Sequence, residues 1–116
     1  MNLSRRVASL LFSLCCALGA SSALAQAAQK SYEPKPGQAG KDVVWIPSPP
    51  GMVEMMLDMA KVTPRDFVID LGSGDGRNVI AAAKRGAHAL GVEYNPDLVE
   101  LSKRAAAQAG VADKAS

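Results

Sequence analysis

The stretch Phe67-Val68-Ile69-Asp70-Leu71-Gly72-Ser73-Gly74-Asp75-Gly76-Arg77 constrains this chain more than any other. It reads as a buried β-strand that runs into a glycine loop, and the loop opens a helix. Phe67, Val68 and Ile69 are aromatic or β-branched, which suits a strand covered on both faces of a parallel sheet. Asp70 places a carboxylate at the C-terminal end of that strand, the edge where open α/β sheets bind ligands. Gly72, Gly74 and Gly76 remove the Cβ at alternate positions, so the backbone can turn sharply, adopt positive φ and approach a ligand closely. The alanine-rich run 78–85 is helix-prone, and its unpaired N–H groups should face the same edge.

The loop spacing is G-x-G-x-G, whereas a dinucleotide loop reads G-x-G-x-x-G. The third glycine of that pattern would fall at position 77, where Arg77 puts bulk at a point of close helix–strand packing. Asp75, inside the loop, would oppose a pyrophosphate. A zwitterionic ligand with a cationic sulfur tolerates such a charge. Its carboxylate can face the helix N-terminus while its ammonium and sulfonium face the acids. The residues therefore favour S-adenosyl-L-methionine over NAD. After the helix, His88-Ala89-Leu90-Gly91-Val92-Glu93 reads as a second short strand ending in an acid. If it is parallel to the first, Glu93 shares the rim of Asp70. It follows the loop by roughly the 20 residues expected of an acid that grips a ribose diol. Both ligands carry a ribose, so Glu93 indicates a nucleoside without choosing between them.

Residues 46 to about 112 resemble the start of a class I S-adenosylmethionine-dependent methyltransferase. The acid and glycine motif after the first strand is matched by Asp70, Gly72, Gly74 and Gly76, and the acid ending the second strand by Glu93. The finer pattern I-P-S-P-P, then D-L-G-S-G-D-G-R, then G-V-E-Y-N-P-D-L-V is similar to a narrower subgroup. That subgroup includes bacterial methyltransferase-domain proteins and protein-lysine methyltransferases acting on a mitochondrial ATP synthase subunit. The resemblance implies an α/β fold, a Rossmann-like parallel sheet with flanking helices, apparently truncated after the second strand–helix unit. It implies a cofactor site at Asp70, Gly72, Ser73, Gly74, Asp75, Gly76 and Glu93. It also implies that the Pro-rich segment after Ile46 lies across the cofactor mouth; a rigid turn before a helix is the plainer reading. The methyl acceptor, a protein (lysine in that subgroup) or a small molecule, is left open, as are the catalytic residues. On this reading the chain is a fragment of an enzyme, inactive alone.

The rest of the chain frames this core. Residues 1–25 have the three parts of a secretory signal: Arg5 and Arg6, an apolar run too short to span a bilayer comfortably, and the small residues of Ala23-Leu24-Ala25. Export to the periplasm is expected, by the general or the twin-arginine route, with no stable membrane anchor after cleavage. Cys15 and Cys16 are the only cysteines and fall in the apolar run. The mature chain would then have neither a disulfide nor a thiolate metal site. The formal net charge is +2, and Arg5 and Arg6 account for it, which leaves no basic footprint for nucleic acid. Residues 26–41, with Pro34, Pro36, Gly37 and Gly40, read as an extended linker, and the folded part spans 42–116.

Residues 51–62 predict an amphipathic helix whose buried stripe is Met52, Met55, Met56, Met59 and Ala60. Asn95-Pro96-Asp97 marks another helix start, followed by a buried stripe of Leu98, Leu101, Ala105 and Ala109, with Gly110 as the stop. His88, the sole histidine, belongs at the strand end away from the site. Two other functions fit parts of the pattern: a nicotinamide-dependent oxidoreductase, and a non-catalytic exported nucleoside-binding module.

Overall fold

The computed structural model describes residues 31–116, so the expected signal segment 1–25 and the first part of the linker lie outside the described residues. Strands β1 (Phe67–Leu71) and β2 (His88–Val92) pair in parallel, in the register Phe67↔His88 to Leu71↔Val92. A parallel pair needs a crossover. Helix α2 (Arg77–Lys84) supplies it, ending in Arg85 and in Gly86 at positive φ. Helix α1 (Pro50–Met59) precedes β1 and helix α3 (Pro96–Gln108) follows β2.

The sheet continues past these two strands. Ala89 N–H donates to Lys114 O at 2.8 Å, Gly91 N–H to Ser116 O at 2.8 Å, and Ser116 N–H to Ala89 O at 3.0 Å. Residues 114–116 thus run parallel along the free edge of β2. The described sheet itself is the two-stranded parallel pair with flanking helices that the sequence predicts.

One face of the sheet carries the core. Helix α2 lies against both strands, and α1 and α3 flank α2 rather than the sheet. Val53 and Leu57 of α1, Val79 and Ala82 of α2 and Ala89 of β2 form the buried cluster, with Val62, Val68, Ala81 and Ala115 partly buried around it. The side chains are mostly small because helix and strand backbones come close. A Cβ on Gly91 would stand 2.6 Å from Ser73 Oγ and 3.1 Å from Val79 Cγ2, so only glycine fits there. The other face is bare among the described residues: Phe67, Ile69, Leu71 and Val92 are exposed. The expectation of a strand covered on both faces is therefore corrected. The strand alternates because every described helix packs from one side.

The methionine stripe of α1 is corrected as well. Met52, Met55, Met56 and Met59 are exposed, Met59 by 79%. Val53 and Leu57, four residues apart, are the positions that meet α2. Arg85 fixes that orientation, with Nη2 2.6 Å from Glu54 Oε2 and Nη1 2.7 Å from Asp58 Oδ1. These carboxylates raise the Arg85 pKa above its ordinary value. Helix α3 starts as its sequence predicts, with Asn95 Oδ1 accepting from Asp97 N–H at 2.9 Å and Pro96 in the first turn. Its buried residues are Leu98 and Ala106, while Leu101, Ala105 and Ala109 are half-buried.

The described part of the expected linker folds back on itself. Gly37 N–H donates to Trp45 O at 2.8 Å, Trp45 N–H to Gln38 O at 2.9 Å, and Gln38 Nε2 to the Tyr32 hydroxyl at 2.6 Å. Among the described residues no helix is long and apolar enough to cross a membrane.

Candidate functional site

Parallel pairing settles the relation between the two acids. Asp70 is the penultimate residue of β1 and Glu93 follows the last residue of β2, so both stand on the C-terminal rim of the sheet. The loop between β1 and α2 is built onto that rim. Gly72 and Ser73 donate to Val92 O at 2.7 and 3.0 Å, and Gly76 N–H donates to Ser73 O at 2.9 Å, closing a tight turn. Gly72, Gly74 and Gly76 have φ of 81°, 56° and 79°, a region that side chains rarely adopt.

Glu93 is held by backbone on both oxygens: Oε2 accepts from Gly74 N–H at 2.8 Å and Oε1 from Asn95 N–H at 2.9 Å. Each oxygen keeps a further lone pair for a ligand hydroxyl. Asp70 Oδ2 accepts from Asn78 Nδ2 at 3.0 Å, while Asn78 Oδ1 is buried without a partner. Ser73 is buried with its side chain turned onto Gly91, and its N–H and carbonyl are engaged by Val92 and Gly76.

Asp75 is engaged by its neighbour. Arg77 donates from Nε to Oδ1 at 2.9 Å and from Nη2 to Oδ2 at 2.5 Å. The third guanidinium nitrogen, Nη1, donates to Ser48 O at 2.7 Å. The Asp75 hydrogen bond raises the Arg77 pKa. This arrangement corrects both arguments raised against a dinucleotide. The charge of Asp75 is compensated, and Arg77 directs its bulk to Asp75 and Ser48 instead of into the sheet. The sequence signal for this pairing is an acid two residues before an arginine at the first helical position.

A cleft of about 490 Å³ opens beside this rim, within the roughly 300–1,000 Å³ usual for small-molecule sites. Residues 38–46 form one wall; Gly72, Val92, Glu93, Tyr94, Asn95 and Leu98 form the other. Lys41 Nζ lies 5.1 Å from the centre of the Tyr94 ring. Trp45 closes over the loop: a Cβ on Gly74 would stand 2.5 Å from Trp45 Nε1. The cleft takes in Gly72 and Glu93, while Asp70, Ser73, Gly74, Asp75 and Gly76 lie outside its lining. His88 is exposed at the start of β2, on the opposite rim. Among the described residues no cluster of histidine, cysteine and carboxylates could hold a metal ion.

Comparison with known proteins places this geometry. The family model of protein-L-isoaspartate (D-aspartate) O-methyltransferase matches residues 21–114. A protein-lysine N-methyltransferase of Saccharolobus islandicus is 41% identical over 76 residues, covering 64% of this chain and 47% of that protein. An ATP synthase subunit lysine N-methyltransferase of Homo sapiens is 43% identical over 67 residues, 58% of this chain and 28% of that protein. Among solved structures, an RNA methyltransferase from Salinibacter ruber in complex with S-adenosyl-L-homocysteine is 47% identical with a TM-score of 0.58, covering 60% of this chain and 46% of that one. The chain thus spans about half or less of the length of these relatives. It belongs to the protein-L-isoaspartate (D-aspartate) O-methyltransferase family, within the class I S-adenosylmethionine-dependent methyltransferases.

Proposed function

We propose that this chain carries the S-adenosyl-L-methionine-binding part of a methyltransferase whose acceptor is a protein side chain, a lysine amine. One observation carries the first half: Asp70 and Glu93 share a rim, joined by a loop of three glycines at positive φ. Glu93 would receive the ribose hydroxyls on its remaining lone pairs. Asp70 would face the ammonium with the oxygen that Asn78 leaves free, and the backbone of residues 72–76 would approach the methionine end. Asp75 contributes by holding Arg77. Bound there, S-adenosyl-L-methionine would supply an electrophilic methyl group. The protein's share is to orient the donor and exclude water, the main levers for an in-line displacement.

The choice of a protein acceptor rests on the lysine methyltransferases to which the chain is 41% and 43% identical. The Salinibacter ruber relative is described as acting on RNA, so both acceptor classes belong in the test. We further propose that residues 1–25 direct export to the periplasm and are removed there.

Calorimetric titration of the chain with S-adenosyl-L-homocysteine and with NADH tests the cofactor. Binding of the first alone supports the reading; binding of NADH alone returns the chain to the oxidoreductases. For the acceptor, labelled methyl transfer by the full gene product to lysine-containing peptides is compared with transfer to RNA. Label on RNA alone would refute the lysine assignment.

A further inference from the structure

The segment 45–49, Trp45-Ile46-Pro47-Ser48-Pro49, crosses from the cleft wall to the start of α1. Its ends are fixed. Trp45 exchanges backbone hydrogen bonds with Gly37 and Gln38, and the Pro49 carbonyl accepts from Met52 and Val53 in the first turn of α1. Its middle has few means of attachment. Pro47 and Pro49 have no N–H, and the donors that remain, on Ile46 and Ser48, make no hydrogen bond among the described residues. Arg77 reaches this strap from outside, donating from Nη1 to Ser48 O at 2.7 Å. Its other two nitrogens are clamped on the Asp75 carboxylate. The planar guanidinium is thereby aimed at the strap, a geometry that an ammonium cannot reproduce.

We propose that Arg77 is a positioning residue: with Asp75 as its anchor, it latches the strap 45–49 over the glycine loop, so that Trp45 covers Gly74 and the strap walls the methionine end of the site. The inference rests on the cofactor reading above. The latch joins two sequence-distant parts: the end of the loop, where Asp75 holds Arg77, and the strap at Ser48, 29 residues earlier than Arg77. Without it the strap would be tied only at its two ends, and the indole would lose its seat on the loop.

Trp45 is the only tryptophan of the chain, so its fluorescence reports on the strap with no ligand present. The full chain and its Arg77→Gln and Arg77→Lys variants would be compared by acrylamide quenching and by titration with S-adenosyl-L-homocysteine. Arg77→Gln should shift Trp45 emission to the red and raise its quenching. It should weaken S-adenosyl-L-homocysteine about tenfold, the size of one charge-assisted hydrogen bond. Arg77→Lys should fall between, since it keeps the charge without the fork. If Arg77→Gln does not fold, as judged by circular dichroism, Arg77→Lys decides alone. Quenching or affinity equal to wild type in the folded variant overturns the proposal. If the wild-type chain binds no S-adenosyl-L-homocysteine, the cofactor reading falls, and Trp45 quenching still decides whether the latch exists.

Discussion

Gly74 donates its backbone N–H to Glu93 Oε2 at 2.8 Å, which makes the glycine loop and the rim acid a single hydrogen-bonded unit. Glu93 Oε1 extends that unit to Asn95, the N-cap of α3. Glu93→Ala should therefore act twice. It removes a ribose acceptor, and it frees two N–H groups, each bond to a charged acceptor being worth about 1.5–3 kcal/mol. We expect at least about a tenfold loss of S-adenosyl-L-homocysteine affinity by calorimetry, with a melting temperature lower by about 5 °C or more. Unchanged affinity would refute the ribose role.

Gly74→Ala tests the close approach of Trp45. The new Cβ would fall 2.5 Å from the indole Nε1, at a φ of 56° that costs alanine about 1 kcal/mol. Trp45 must leave the loop, and its emission should shift to the red. An emission spectrum that matches wild type would place the indole elsewhere.

The two faces of α1 make opposite predictions. Leu57→Ala opens the buried cluster and should cost about 2–5 kcal/mol in chemical denaturation. Met59→Ala, at an exposed site, should stay within about 0.5 kcal/mol. Equal effects would restore the methionine face as core.

Acid should loosen the turn before β1. Asp66 Oδ2 accepts from the Thr63 N–H at 2.7 Å and from the Thr63 hydroxyl at 2.8 Å. These bonds, the backbone one first, lower the Asp66 pKa from 3.8. The folded value lies below the unfolded one, so the contribution is complete above the unfolded value and fades as pH falls through the folded one. Melting followed against pH should show wild type losing stability below about 3.8, with Asp66→Asn losing less over the same interval.

The strands, the crossover helix and the rim acids are legible in the sequence because each has a local signature. β-branched residues end in an acid, glycines mark the positive-φ turn, and Asn95-Pro96-Asp97 starts α3. What the sequence hides is longer in range. The methionines of α1 share the helical period with Val53 and Leu57, and only the position of α2 decides which side is buried. The same holds for Phe67 and Ile69, whose exposure depends on which face the helices take. Asp75 reads as an uncompensated charge unless the acid–x–arginine spacing at the helix start is noticed, and the reach of Arg77 to Ser48, 29 residues away, is not visible at all. The turn at Gly37 and Gln38 reads as linker because its partner, Trp45, is held by backbone groups that leave no pattern in side chains.

Strand β2 has partners on both flanks, β1 on one side and residues 114–116 on the other, whereas β1 has a single partner among the described residues. Glu93 is thus mounted at the end of a beam braced on both sides. The Ala89 and Gly91 amides, which bond to residues 114 and 116, should exchange hydrogen slowly. A sugar gripped by Glu93 would be anchored to that beam.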